Sequence, residues 1–527
     1  MDIDKNNLIK HNNLFFVFCF VVIGWIVYSP MTSWLISNPD GIYLGVIYRE
    51  GDGSAAFGRI GVGAVIRLMY SVVSPNLMMI LCLIMLGIIV CMMATIFKAD
   101  SLWMKILMGV ILLLSPTMSS QLTYYYCMVQ YILAFVFGVL ACLLIIRVKQ
   151  SWMFVVSSLF VMAQLTLYQA FLSVSVVISL YYLIYLLLNN EEYKSIVLTA
   201  IRLFGSMISG IVLYVLLLRV LRVELDSVRG FDSMGQVNVE QRIGLIKTAY
   251  WYFLDYLFGD AYINNSWMHR KYMNLIVVVA LTLIVTYIIA VKRIYKQKLR
   301  MIMLLVCALA LPVGFELMVV AAPKVNMHGV TGIIMIPAMS MLYMSVIWLW
   351  NLIPTQDEGD EQMHGIMKCL RRYGCVLVLV PILYNYILFT SVFENVMWLN
   401  YQSMYSLCHK ISMEIDDVGG YESDARIAFI GYPQDGNYPY NRDELRDIVR
   451  GTIAERGQIW ENSGYLSSCV FQAFYRTYFG IDYEIVLRDE YNRIVESGLI
   501  SGMGNFPEEG SVVRKGNLII VKVSDIQ

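Results

Sequence analysis

The chain has 527 residues, 58% of them apolar and only 15% charged, with 39 basic residues balancing 39 acidic ones. Soluble domains run near about 45–50% apolar and about 25% charged, so a soluble enzyme, a disordered chain and a secreted disulfide scaffold are excluded. Zero net charge leaves no footprint for nucleic acid.

The stretches 11–39, 76–97, 122–146, 151–190, 272–291, 325–356 and 373–393 hold no Asp, Glu, Lys or Arg. A bilayer core about 30 Å thick takes roughly 20 apolar residues of helix. The pattern predicts a multi-pass α-helical membrane protein. Lys5 and Lys10 precede an apolar run from Leu14 to about Ile36. That run lacks a small-residue cleavage site and is read as a retained first helix. Further spans are expected near 76–97, 102–118, 127–146, 152–167, 170–188, 196–218, 273–291, 301–321, 331–352 and 374–394, about eleven in all. As one helix, 151–190 would be about 60 Å long, twice the hydrocarbon core. A tight hairpin is therefore expected at Tyr168-Gln169.

Odd parity puts the termini on opposite sides, and the positive-inside rule selects a cytoplasmic N-terminus. Lys98, Arg147, Lys149, Lys194, the cluster Lys292-Arg293-Lys296-Lys298-Arg300, and Lys368, Arg371 and Arg372 then all face the cytoplasm. The outer segment 219–272 breaks the pattern with seven Lys or Arg residues, and those charges need another reason. Residues 60–73 are expected to form an interfacial helix on the outer surface. The domains expected are a polytopic transmembrane unit over 1–394 and a small extracytoplasmic α/β domain over 395–527. In the latter, 425–431 and 517–523 read as buried strands, and stretches near 400–417 and 465–479 as helices.

Ten cysteines are scattered without a Cys-x-x-Cys pair, which gives neither a zinc site nor a disulfide framework. Cys408 and Cys469 lie in the polar C-terminal part and could pair if it is exported. Phosphate-loop, zincin and nucleophile-elbow motifs are absent, against an ATP-driven pump or a hydrolase of those classes.

The first outer loop carries Asp40, Arg49, Glu50, Asp52 and Arg59 within 20 residues. A carboxylate there can act as general base on a hydroxyl. An arginine can grip a phosphate through two parallel hydrogen bonds. Together they suit transfer of a group from a lipid phosphate to an alcohol, although Asn-Pro-Asp-Gly is also ordinary turn chemistry. Glu316, near the outer end of its span, is either a binding residue or half of an interfacial ion pair with Lys324. His328 follows in the same loop. Tyr168 and Gln169 can bind a sugar or simply anchor a helix end, and Tyr124-Tyr125-Tyr126 read as an aromatic belt. The acidic run at Asp357-Glu358-Gly359-Asp360 reads as a solvated linker.

Several segments in order resemble the bacterial membrane glucosyltransferases of the serotype-conversion type (the Gtr type II family) within the GT-C glycosyltransferases. They are Asn38-Pro39-Asp40 with Gly58-Arg59, Leu114-Ser115-Pro116 with the tyrosines 124–126, Leu167-Tyr168-Gln169-Ala170, Val325-Asn326-Met327-His328, and the C-terminal Phe506-Pro507 and Gly510-Ser511-Val512 before the last strand. The resemblance implies a hexosyltransferase of the bacterial cytoplasmic membrane with a polyprenyl-phosphate sugar, often glucose, as donor. It implies an O-antigen or other surface glycan as acceptor on the outer face. Asp40 takes the place of the family's catalytic acid. Many members carry a second acid next to it, where this chain has Gly41, so Glu50 and Asp52 become candidates. Arg59, with Arg49 or Lys324, would hold the donor phosphate, and Tyr168, Gln169, Glu316 and His328 would bind substrate. No cofactor is required on this reading, and metal use stays open. The alternatives are a polysaccharide polymerase or ligase, a lipid-linked sugar flippase or transporter, and a membrane-anchored sensor built on 395–527.

Overall fold

The computed structural model describes residues 2–44, 54–69, 72, 74–227, 239–260, 262–322, 330–353, 365–422, 424–433, 443–457 and 464–526. Its helices in chain order begin with α1 (Asp2–Ser33), α2 (Pro39–Leu44), α3 (Gly61–Leu68), α4 (Pro75–Ile96), α5 (Leu102–Leu113), α6 (Pro116–Gln121), α7 (Met128–Arg147), α8 (Met153–Leu167) and α9 (Leu172–Leu188). They continue with α10 (Tyr193–Val220), α11 (Val239–Phe258), α12 (Arg270–Val291), α13 (Lys298–Phe315), α14 (Leu317–Ala321), α15 (Val330–Ile334), α16 (Ser340–Trp350) and α17 (Gly365–Asp417).

Among the described residues, eight helices are long and apolar enough to cross a membrane: most of α1, then α4, α7, a segment running through α9, α10, α12, α13 and the body of α17. Three shorter apolar helices fall at 102–113, 153–167 and 337–350. Burial agrees with a lipid environment. α9 and α16 are buried almost throughout, whereas α10, α12 and α13 carry exposed Ile201, Leu283 and Val306, each about 60% or more accessible. Contiguous apolar faces of that size are a liability in water and ordinary against acyl chains.

Three expected spans are broken at the same end of the bundle. α5 stops at Leu113 because Ser115 precedes Pro116 and is pushed into extended backbone, with ψ 142°. Ile336, ahead of Pro337, is likewise outside helical geometry, so the span expected at 331–352 divides into α15 and α16. α13, which contains Pro312, ends at Phe315, and Glu316 sits at the break before α14. Irregular backbone at membrane depth persists only where protein or a cavity surrounds it. All six residues of α6 are buried. The hairpin at 168–169 is present, with Tyr168 extended between α8 and a short 3-10 turn over Gln169–Phe171.

The loops separate into two chemically distinct ends. At one, Arg300 donates to the carbonyls of Leu187 and Glu191, Lys292 to Asn189, Arg147 to the Thr95 carbonyl, and Asn351 to the Lys98 carbonyl. The other end gathers the first loop, the tyrosine loop, the hairpin and the C-terminal unit.

α17 runs through the expected domain division at 394/395 as one helix of 53 residues, about 80 Å long. Its Met404, Leu407, Cys408, Ile411 and Ile415 are buried with the C-terminal strands. The remaining helices are α18 (Asp443–Ile448), α19 (Ile453–Arg456), α20 (Tyr465–Phe474) and α21 (Arg488–Glu496). The strands are β1 (Arg426–Ile430), β2 (Val512–Lys515) and β3 (Leu518–Lys522), in the order β1-β3-β2. β1 pairs parallel to β3, with Ala428 opposite Ile520, and β2 pairs antiparallel to it. Cys408 and Cys469 are both free thiols.

Candidate active site

The first loop is tied down at three points before it reaches Asp40. The Ile36 carbonyl accepts from Tyr125 at 2.7 Å, and the Leu35 carbonyl accepts from Tyr478 of the C-terminal unit, also at 2.7 Å. Ser37 donates to the Thr123 carbonyl and Asn38 to the Thr123 hydroxyl. Asn38 then caps α2: its side-chain oxygen accepts from the Gly41 amide at 2.9 Å and its carbonyl from the Ile42 amide. Asp40 lies in the first turn of α2, where the unpaired amides favour a carboxylate. The same short helix buries Ile42, 2% exposed, among residues of α17, α20 and the sheet. A Cβ on Gly41 would stand 1.9 Å from the Ser37 hydroxyl, which is why the residue after Asp40 carries no side chain.

Arg59 is placed by a second clamp. Gly58 adopts φ +73°, and a Cβ there would meet the Tyr214 hydroxyl at 2.2 Å and the Gln169 amide at 2.8 Å. Gln169 donates to the Phe57 carbonyl at 2.7 Å and to the Tyr214 hydroxyl at 2.9 Å, and Tyr214 donates to the Gly58 carbonyl at 3.0 Å. The guanidinium of Arg59 lies over the Tyr168 ring, 4.3 Å from its centre, and 5.7 Å from that of Phe57. Tyr168 is 2% exposed and stacks on Tyr131 at 4.4 Å. Burial pushes its hydroxyl up to about 12 although the Arg59 charge beside it pulls the other way, so Tyr168 keeps its proton at neutral pH and serves as an aromatic shelf.

The two clamps meet on one aromatic cluster. Tyr131 packs against Tyr124, and Tyr124 against Tyr126. Tyr126 is held neutral first by burial, then by Cys127 and the Asp40 carboxylate. Cys127 feels both Arg59 and Asp40. Asp40 and Arg59, 19 residues apart in the chain, thus both act electrostatically on Tyr126 and Cys127.

Glu316 is fully buried. One of its oxygens accepts from Tyr262 at 2.9 Å, and the other has no hydrogen-bond partner among the described residues. Arg49, Glu50, Asp52, Lys324 and His328 lie outside the described residues, and so does the acidic run 357–360.

Four residues of this end were not singled out from the sequence. Tyr131 and Tyr214 lie in apolar helices, where nothing local distinguishes them from lining residues. Glu394 has a buried carboxyl oxygen without a partner among the described residues. It is the first acid after a charge-free stretch, and that was its signal. Arg270, buried at the start of α12, is the fourth.

The family model described as Glucosyl transferase GtrII matches residues 45–342, more than half of the chain. No curated protein matches the chain, and no solved structure does.

Proposed function

The chain belongs to the GtrII glucosyl transferase family and is a glycosyltransferase, and from that premise we propose that it moves glucose from a polyprenyl-phosphate donor to a cell-surface glycan on the outer face of the cytoplasmic membrane. The observation that carries this reading is that the Asp40 loop is hydrogen-bonded to Thr123 and Tyr125 of the tyrosine loop while Arg59 lies over Tyr168, which stacks on Tyr131 of the helix that follows that loop. Asp40 and Arg59 are the charge pair needed to take an oxygen nucleophile to an anomeric carbon and let a phosphate leave.

The reaction is a single displacement with inversion. An acceptor hydroxyl attacks the anomeric carbon and loses its proton to Asp40. The bond from that carbon to the phosphate oxygen breaks, and the lipid phosphate leaves with the electron pair. Arg59 meets the charge growing on the phosphate. Held in advance over Tyr168, it stabilises the transition state without reorganising. Gln169 and Tyr214 act as positioning residues for the Gly58-Arg59 turn. Glu50 and Asp52 are further candidates for acid chemistry, and Arg49 and Lys324 for phosphate binding. Glu316 and His328 are assigned to substrate binding.

Eleven crossings follow if the three shorter apolar helices also span, which puts the N-terminus in the cytoplasm and the α/β unit outside. The basic loops at the opposite end support this orientation. The transmembrane unit over 1–394 is the catalytic domain on this reading. The unit over 395–527 then supplies one wall of the site, because α2 buries Ile42 in it and Tyr478 holds Leu35.

The test is donor choice. Purified protein is offered radiolabelled glucose on polyprenyl phosphate or on a nucleoside diphosphate, with an envelope glycan extract as acceptor. Transfer from the lipid donor alone supports the proposal. Transfer from the nucleotide donor alone overturns it.

A further inference from the structure

Arg270 opens α12 and is 2% exposed. It is one of the seven charges that break the distribution of basic residues along the chain. None of its three guanidinium nitrogens makes a hydrogen bond within 3.5 Å among the described residues, and the Tyr343 hydroxyl acts on its charge. Its surroundings are tyrosines: the Tyr256 ring at 5.8 Å and the Tyr386 ring at 5.7 Å. Tyr343 packs edge-on against Tyr386, but its hydroxyl is used, donating to Asn274 at 2.9 Å. The Tyr386 hydroxyl is buried and without a partner among the described residues.

The pocket is braced from outside. Asn274 also donates to the Leu257 carbonyl at 2.7 Å, and Asn265 donates to the Tyr256 carbonyl at 3.0 Å. α11 and α12 are thereby fixed around the guanidinium. Across Tyr256, the ring of Tyr262 lies 6.2 Å away, and Tyr262 binds Glu316.

A guanidinium buried with no acceptor is strongly unfavourable, and such charges persist where an anion or a water-filled path completes them. Aromatic faces ease the penalty without satisfying any of its five N–H groups. Here the unused donors are those of the Arg270 guanidinium and the Tyr386 hydroxyl. Donors on several sides fit a phosphate oxyanion, which offers acceptors in several directions.

We propose that Arg270 and Tyr386 form a second, buried anion site that takes a phosphate group, separate from the Arg59 shelf. It rests on the lipid-donor reading only for the source of that phosphate.

The experiment uses full-length protein in detergent and measures thermal stability and direct binding. The probes are polyprenyl phosphate, polyprenol without phosphate, inorganic phosphate and phosphatidylglycerol. The variants are Arg270→Met, Arg270→Lys, Tyr386→Phe and, for comparison, Arg59→Met. Polyprenyl phosphate is expected to stabilise wild type and Arg59→Met, with binding at least about tenfold weaker in Arg270→Met and intermediate in Arg270→Lys and Tyr386→Phe. Without any probe, Arg270→Met should melt no lower than wild type, because it removes an uncompensated charge. Protection by inorganic phosphate or phosphatidylglycerol that needs Arg270, with none by polyprenyl phosphate, supports the anion site and counts against the lipid donor. In an Arg59→Met background, protection that survives Arg270→Met and Tyr386→Phe alike overturns the proposal. So does a wild type that responds to no phosphate probe. If Arg270→Met fails to fold, Tyr386→Phe and Arg270→Lys decide on the same criteria.

Discussion

Substitution of Gly58 tests the clamp on Arg59 directly. Alanine at this position must keep φ near +73°, which costs an L-residue about 1–2 kcal/mol. Its Cβ would also stand 2.2 Å from the Tyr214 hydroxyl and 2.8 Å from the Gln169 amide, so both must move away. Three hydrogen bonds run through those two groups, at 2.7, 2.9 and 3.0 Å. At about 0.5–1.5 kcal/mol net for each, the whole perturbation spans about 2.5–6.5 kcal/mol and centres at about 4–5 kcal/mol. If the turn exists to place Arg59 against a leaving phosphate, most of that appears in the transition state. At about 1.4 kcal/mol for each factor of ten, sugar transfer should fall on the order of 10²- to 10³-fold. A graded series separates positioning from misfolding. Tyr214→Phe removes the two bonds of one hydroxyl and should be mildest, Gln169→Leu should be intermediate, and Gly58→Ala most severe. The assay is transfer of radiolabelled glucose from polyprenyl-phosphate glucose in membranes, at matched protein levels. A Gly58→Ala protein that is normally abundant and transfers at the wild-type rate would refute the reasoning.

The loop around Asp40 yields further expectations. Gly41→Asp, which restores an adjacent acid, should lower transfer rather than raise it, because any Cβ displaces the Ser37 hydroxyl that binds Thr123; the same membrane assay reads this. Ile42→Ala should destabilise the seat of α2 by about 2–5 kcal/mol, with Ile42→Val at about 0.5–1.5. Limited proteolysis of the 35–60 region should show the same order. Tyr262→Phe leaves the buried Glu316 without its described hydrogen bond and should lower thermal stability by about 1–3 kcal/mol. Tyr262→Phe with an unchanged melting temperature would show that Glu316 is satisfied otherwise.

Hydropathy made the spans legible, because a lipid-facing helix must be apolar over its length whatever its neighbours do. The hairpin at Tyr168-Gln169 followed from length alone. The helix breaks before Pro116 and Pro337 were legible in principle, since the residue preceding a proline avoids helical backbone. The continuity of α17 was hidden: Glu394 and Asn395 end the apolar run, but loss of hydrophobicity does not end a helix. β1 and β3 were readable as buried apolar runs, whereas β2, with Arg514 and Lys515 in a four-residue strand, has no such signal.

Of the site, Asp40 and Arg59 stood out as charges beside a membrane helix. What joins them was not readable. Gln169 reaches Phe57 across 112 residues, and Tyr214 reaches Gly58 across 156. Pairing at that range leaves no local trace in one sequence. Arg270 left an indirect trace, as one of the seven basic residues in 219–272 that break the expected distribution of charge along the chain.

The central claim is that Asp40 carries the chemistry. The most direct measurement compares wild type with Asp40→Asn in transfer of radiolabelled glucose from polyprenyl-phosphate glucose to envelope glycan, in membranes with matched protein levels. Asparagine keeps the size and the hydrogen-bonding reach but removes the negative charge. The account predicts transfer by wild type and a loss of at least about 10²-fold in the variant, in line with removal of a general base. Equal transfer by the two would contradict it.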